Sequence, residues 1–268
     1  MTIDIKGEWK MVIHLKDVSL VRDDDRILNH VDWHVEKGEH WAVYGMNGAG
    51  KTALLNMLCA YYFPTSGEVE VCGKVFGQSV LGDELRRKIS IVSAGVQDKL
   101  HTDDNSFEIV LSGAFASIGL YEKPSDAMRE KAKRILQQLG SYDYANKPYA
   151  LLSQGQKQRA LLGRALMADP DVLILDEPAT GFDFIAREEL LETIEKIAEA
   201  ENGPTLLYVT HHLNEILPQF TKTLLLKRGQ VFQAGNTKQL LTSEIMSDFV
   251  EVPVEITWQN ERPNISKI

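Results

Sequence analysis

Gly45-Met46-Asn47-Gly48-Ala49-Gly50-Lys51-Thr52 follows the apolar run 41–44 and precedes a stretch with helical spacing, 52–62. The octapeptide fits G-x-x-x-x-G-K-[ST], the pattern of a phosphate-binding loop between a strand and a helix. Glycines let the backbone curl until successive amides point at one anion, and the helix adds the positive end of its dipole. Gly45, Met46, Asn47, Gly48, Ala49 and Gly50 are expected to cradle phosphate through the backbone. Lys51 reaches the β- and γ-phosphates, and the Thr52 hydroxyl holds Mg²⁺. Ala53 stands where a second hydroxyl would help, so it offers the α-phosphate only its amide. A glycine-rich connector without a ligand is the competing reading. The strand–loop–helix context argues against it, and a chance match in this length is on the order of one in a hundred.

A second apolar run, 172–175, ends in Asp176-Glu177. Side chains alternate along a strand, so the two carboxylates cannot share a role if the extended path continues. Asp176 is then expected to bind Mg²⁺, directly or through water, and Glu177 to polarise a water attacking the γ-phosphate. His211 closes a third run, 206–210, and is expected to donate to the γ-phosphate, where hydrolysis builds charge. The loop alone leaves kinases, GTPases and ATPases open. Asn146-Lys147-Pro148-Tyr149 holds half of an Asn-Lys-x-Asp guanine reader and lacks its carboxylate, which argues against GTP.

The 268 residues carry 29 Lys+Arg against 38 Asp+Glu, a net charge of −9, so no nucleic-acid partner is expected. No run reaches the roughly 18 apolar residues of a membrane helix, and the opening stretch, 1–6, is amphipathic rather than signal-like. Cys59 and Cys72 lack metal-ligand spacing and read as buried thiols. Strands are expected at 12–20, 26–35, 68–71 and 89–92, with the acidic run 22–26 as a solvated turn. Helical spacing covers 52–62, stopped by Pro64, as well as 106–139, 153–167 and 184–200. Alternation of strands and helices implies a covered parallel sheet.

Leu152-Ser153-Gln154-Gly155-Gln156 resembles the Leu-Ser-Gly-Gly-Gln signature of ATP-binding cassette (ABC) ATPases, with Gln154 at the third position. The order of phosphate loop, signature and Asp176-Glu177 also matches, over about residues 15–235. The resemblance implies an α/β fold: a P-loop NTPase core with a mostly parallel sheet and flanking helices, an antiparallel β subdomain and an inserted α-helical signature subdomain. It places the ATPase domain at 12–242, with the helical subdomain at about 98–165 and an extension at 243–268. It further implies a homodimer closed head to tail on two Mg-ATP, in which Ser153, Gln154, Gly155 and Gln156 meet the partner's nucleotide. Asp183 would be the interface carboxylate and His211 the switch histidine. The chain would work in the cytoplasm, peripheral to the membrane wherever it drives a permease.

Two positions depart from the family pattern. The aromatic ring expected under adenine is replaced by Arg22, whose guanidinium plane can stack on a base; weak discrimination among purine triphosphates follows. The Pro-Gln expected after 89–92 is replaced by Ser93-Ala94-Gly95-Val96-Gln97, so either Ala94 fills the loop-glutamine position or a short insertion lets Gln97 reach the metal. Two tasks stay open: driving a transporter through separate transmembrane permease subunits, or a soluble, non-transport role in repair or remodelling. The extension 243–268 can pack on the core or supply dimer contacts.

Overall fold

The computed structural model describes residues 11–268; the amphipathic opening stretch lies outside them. β1 (Met11–Arg22) and β2 (Asp25–Glu36) form a hairpin whose two turn residues, Asp23 and Asp24, are both left-handed (φ 51° and 65°). Such a turn matches strand twist, and Asp tolerates it because its short side chain can bond locally. The acidic run is therefore turn chemistry. After β3 (Trp41–Tyr44) and α1 (Lys51–Leu58), β4 (Ser66–Val71) pairs with the other edge of β1, and β5 (Lys74–Val75) completes an antiparallel sheet of order β2-β1-β4-β5.

The remaining chain builds the second sheet and the helices that cover it. α2 (Gly82–Lys88) leads into β6 (Ile89–Val92), followed by α3 (Ala94–Gln97), α4 (Ser106–Ser112), α5 (Asp126–Gln138) and α6 (Gln154–Met167). β7 (Val172–Asp176), α7 (Phe184–Ala198), β8 (Thr205–Thr210), β9 (Lys222–Lys227) and β10 (Gln230–Asn236) follow. The second sheet has the order β10-β9-β3-β8-β7-β6 and is parallel except for β10 at its edge. β3 and β8 are buried along their whole length, as strands covered on both faces must be. Alternation along them splits the core in two. Val43, Ile174, Leu207 and Leu224 pack toward α1 and the antiparallel sheet. Ala42, Leu173, Leu206, Tyr208 and Leu225 pack toward α4 to α7.

The helix expected over 52–62 ends at Leu58. Ala60 turns left-handed (φ 57°), its N–H reaches the Met57 carbonyl, and the Tyr61 N–H reaches the Asn56 carbonyl. This is a Schellman stop set by Ala60, four residues before Pro64. The continuous helical spacing of 106–139 is likewise broken: only α4 and α5 are α-helical, because Ala116 (φ 52°) and Gly119 (φ 80°) reverse the chain between them. Val110 and Leu111 are buried in the core, and Gly113 is pressed on α6. Cys59 and Cys72 are free and buried, and burial pushes both thiols up to about 12.

After α8 (Thr237–Leu240), the extension folds as α9 (Ser243–Val250) and a hairpin of β11 (Val254–Gln259) and β12 (Arg262–Lys267). It packs on the core, the first of the two alternatives. Phe249 lies 5.8 Å from Tyr44 and 5.4 Å from Phe232, ring to ring.

A Cβ on Gly113 would stand 2.0 Å from the Arg164 carbonyl oxygen, which is backbone and cannot swing aside. Gly113→Ala is expected to cost about 3 kcal/mol of unfolding free energy, the upper end for overpacking. Urea denaturation checks this as a lower midpoint with an unchanged slope.

Candidate functional site

Three strand ends build the site. β3 delivers the glycine loop; β7 delivers Asp176 and Glu177; β8 delivers His211. Gly45 is required by space, since a Cβ there would meet the Leu226 carbonyl oxygen at 2.7 Å. Gly50 is required by conformation (φ 101°) and caps α1 without a side chain, so the first-turn amides are left for an anion. The loop lines a cavity of about 350 Å³ formed by residues 46–53 with Ile27, Asn56, Tyr62 and Glu177.

Lys51 is 7% exposed, donates to the Gly45 carbonyl at 2.6 Å and lies 3.3 Å from Glu177 Oε1. His211 Nδ1 lies 3.1 Å from the same oxygen. Since an ionised carboxylate only accepts, Nδ1 carries the proton toward it. Thr180 Oγ1 approaches Glu177 Oε2 at 3.5 Å.

The strand-alternation argument for separating the two carboxylates needs correction. The extended path stops at Asp176: Glu177 is left-handed (φ 48°) and its N–H is held by the Val209 carbonyl. A non-glycine residue in this region is strained, and here the strain turns the carboxylate toward Lys51 and His211.

Electrostatics push the pair apart. Burial, then the neighbouring Glu177, raise Asp176 to about 6 against the opposing pull of Lys51. Burial also acts to raise Glu177, but the His211 hydrogen bond and the Lys51 charge together outweigh it, leaving Glu177 below the ordinary carboxylate range. Glu177 is thus an anion held by two donors, while Asp176 is a desolvated carboxylate awaiting a cation. Thr52, exposed in the first turn of α1, completes the donor set expected for Mg²⁺. One carboxylate and one hydroxyl suit an ion that takes few protein ligands and completes its shell with phosphate and water.

The other sequence-derived residues lie elsewhere. Gln97 closes α3 and does not line the cavity. Arg22 is exposed one layer behind it, its guanidinium 4.2 Å from the centroid of the Tyr62 ring, which does line the cavity. Tyr62 escaped the sequence reading because 52–62 appeared to be one helix; the left-handed Ala60 frees its ring. Ser153 caps α6, accepting from the Gln156 N–H while Gln156 Oε1 accepts from the Ser153 N–H. Gln154 is exposed, and a Cβ on Gly155 would meet nothing within 4 Å. Asp183, also exposed, caps α7 through the Ala186 N–H at 2.9 Å.

A glycine loop, a carboxylate pair and a histidine on adjacent parallel strands define a P-loop nucleotide hydrolase, and the capped signature helix narrows the class to ATP-binding cassettes. A family model described as ABC transporter matches residues 28–180. The chain is 58% identical to YlmA, an uncharacterized ABC transporter ATP-binding protein of Bacillus subtilis, across 96% of this chain and 97% of that protein. Among solved structures it resembles cbiO1 of Clostridium perfringens, part of the ABC transporter complex cbiONQ, with TM-score 0.78 and 26% identity over 91% of this chain and 95% of that one. It also resembles the dimeric ATP-binding cassette MJ0796 in a post-hydrolysis state with ADP and Pi, with TM-score 0.69 and 27% identity over 84% and 98%. The chain belongs to the ABC transporter family and is an ATPase subunit that drives transport, the first of the two tasks left open by the sequence.

The sign of the Asp176 shift gives a stability test. Folded Asp176 keeps a proton up to about pH 6, whereas the unfolded chain releases it near the ordinary 3.8. Between those values the folded state binds more protons, so stability falls as pH rises, and the full cost stands above pH 6. Asp176→Asn is expected to stabilise the nucleotide-free protein by ~1–2 kcal/mol at pH 7.5. The gain disappears below pH 4, as denaturant melts at both pH values will show.

Proposed function

We propose that two copies of this chain close head to tail on two ATP molecules, and that closure and reopening move separate membrane-spanning subunits. Among the described residues no helix is long and apolar enough to cross a membrane, and cbiO1, which this chain resembles, is part of a transporter complex. The observation that carries the hydrolytic assignment is the double hold on Glu177 Oε1, by Lys51 at 3.3 Å and His211 at 3.1 Å, at the wall of the loop cavity.

In this reading the amides of Gly45 to Ala53 hold the phosphates. An arriving triphosphate competes for the Lys51 ammonium, and Glu177, relieved of that partner, accepts a proton from the attacking water. The water oxygen bonds to the γ-phosphorus, the bond to the β,γ-bridging oxygen breaks, and ADP carries off its electron pair. His211 orients the carboxylate through Nδ1. Thr52 and Asp176 would hold Mg²⁺, which would supply positive charge beside the phosphates. Gln97 joins only if α3 moves inward on closure. Arg22 acts on base selectivity through the Tyr62 ring it covers.

The signature residues act in trans. Ser153, Gln154, Gly155 and Gln156 offer the exposed N-terminus of α6, and Asp183, followed by Phe184 and Ile185 at 64% exposure each, offers an interface edge. Residues 98–165 carry the signature as one subdomain of the ATPase domain 12–242, with 243–268 as an extension.

Glu177→Gln is expected to lower kcat by 10²–10⁴-fold, the range for a lost general base, while ATP affinity changes less than three-fold. Turnover at the native rate would remove Glu177 from the mechanism. In the same slowed background, Mg-ATP should drive a monomer-to-dimer shift in sedimentation, and adding Ser153→Arg should abolish the shift without weakening ATP binding to the monomer.

A further inference from the structure

The hairpin of β11 and β12 packs on the turn after His211, and Arg262 ties the two together. Arg262, at the start of β12, is 20% exposed and uses all three guanidinium nitrogens. Nε donates to the Asn214 carbonyl at 2.7 Å, Nη2 donates to the same carbonyl and to Glu188 Oε1 at 3.2 Å, and Nη1 donates to Glu188 Oε2. Asn214 is the middle residue of the single 3₁₀ turn Leu213–Glu215, which begins two residues after His211. Glu188 sits early in α7, five residues after the Asp183 cap.

The turn is tied to the strand end by a second set of bonds. Glu215 is 3% exposed and accepts from Thr210 Oγ1 at 2.6 Å and from Tyr208 Oη at 3.2 Å. Thr210 Oγ1 in turn accepts from the His212 N–H at 2.9 Å. The backbone on both sides of His211 is therefore pinned, by Thr210 below and by the Arg262 fork beyond. A planar, bidentate guanidinium holds such geometry better than a single flexible donor could.

We infer that Arg262 is a positioning residue for hydrolysis: it fixes the turn after His211 against α7, and so keeps the His211 ring on Glu177. The extension is then part of the hydrolytic apparatus, joining the histidine strand end to the helix that carries Asp183. This rests on the reading of Glu177 and His211 as the hydrolytic pair, and the experiment separates the two.

The test uses the full chain, with kcat and KM for ATP, equilibrium binding of a fluorescent ATP analogue, and hydrogen exchange of residues 211–216. Arg262→Met is expected to lower kcat 5- to 20-fold with KM and binding within two-fold, and to speed exchange at 211–216 at least ten-fold while residues 190–197 stay protected. Arg262→Lys, which keeps the charge but not the fork, should recover part of the rate. Glu188→Ala should shift kcat in the same direction, and combining it with Arg262→Met should add less than the product of the two effects. If Arg262→Met is not recovered folded, Arg262→Lys and Glu188→Ala decide. Native kcat in the folded variants, or loss of rate and nucleotide binding together, overturns the positioning role. Native turnover in Glu177→Gln would instead overturn the underlying pair, whatever Arg262 does.

Discussion

Three parallel strands leave their sheet at one level, and the site depends on that register. Tyr44 lies opposite Thr210, and Val209 lies opposite Asp176. The glycine loop, the carboxylate turn and the histidine turn are therefore neighbours before any side chain is placed. Register is enforced because both faces of these strands are apolar and buried, and a one-residue slip would exchange the two cores they divide. Parallel pairing also requires a crossover between each strand and the next, which sends α1 out from the loop and α7 away from the carboxylates. The fold and the site follow from the same arrangement.

Convergence at this level makes the site electrostatically incomplete in a single chain. Lys51 is buried against the Gly45 carbonyl and Glu177, with Asp176 also within its field, an arrangement that offsets the cost of its charge. Glu177 reaches that position only through a left-handed backbone. Asp176, adjacent in sequence but more deeply desolvated, is easily protonated. In the proposed scheme a triphosphate brings negative charge to Lys51 and its cation brings positive charge to Asp176. The resting arrangement is thus poised to reorganise on nucleotide entry.

Much of this was legible from the sequence, for identifiable reasons. The loop, β6, β7 and β8 are short apolar runs with sharp ends, and a buried strand has little freedom to look otherwise. The two helix ends that differed were set by left-handed non-glycine residues, Ala60 and Ala116, which composition does not mark. The same blind spot hid Tyr62 from the cavity and gave the wrong reason for the separation of Asp176 and Glu177. Gly113 packs against the carbonyl of Arg164, 51 residues away, so its role could not be read locally. The extension was unreadable because its anchor, Arg262 to Glu188, spans 74 residues and looks like an ordinary surface pair in sequence.

The signature helix shows why a second chain belongs in this scheme. The Ser153 and Gln156 side chains satisfy each other's backbone groups, so the start of α6 is ordered before any ligand arrives. Preorganised donors lose little entropy on binding, which concentrates the gain from contact with a phosphate into the moment of closure. Placed against its own loop cavity, that helix end would hold ATP in the monomer and leave nothing for dimerisation to change. In the proposed scheme that helix end, which does not line the loop cavity, meets the partner's nucleotide and makes it the bridge between two copies. On that proposal association depends on the γ-phosphate, and its loss on hydrolysis releases the grip. The strain at Glu177, the capped end of α6 and the pinned turn after His211 all serve the same requirement, that chemistry and closure occur in one geometry.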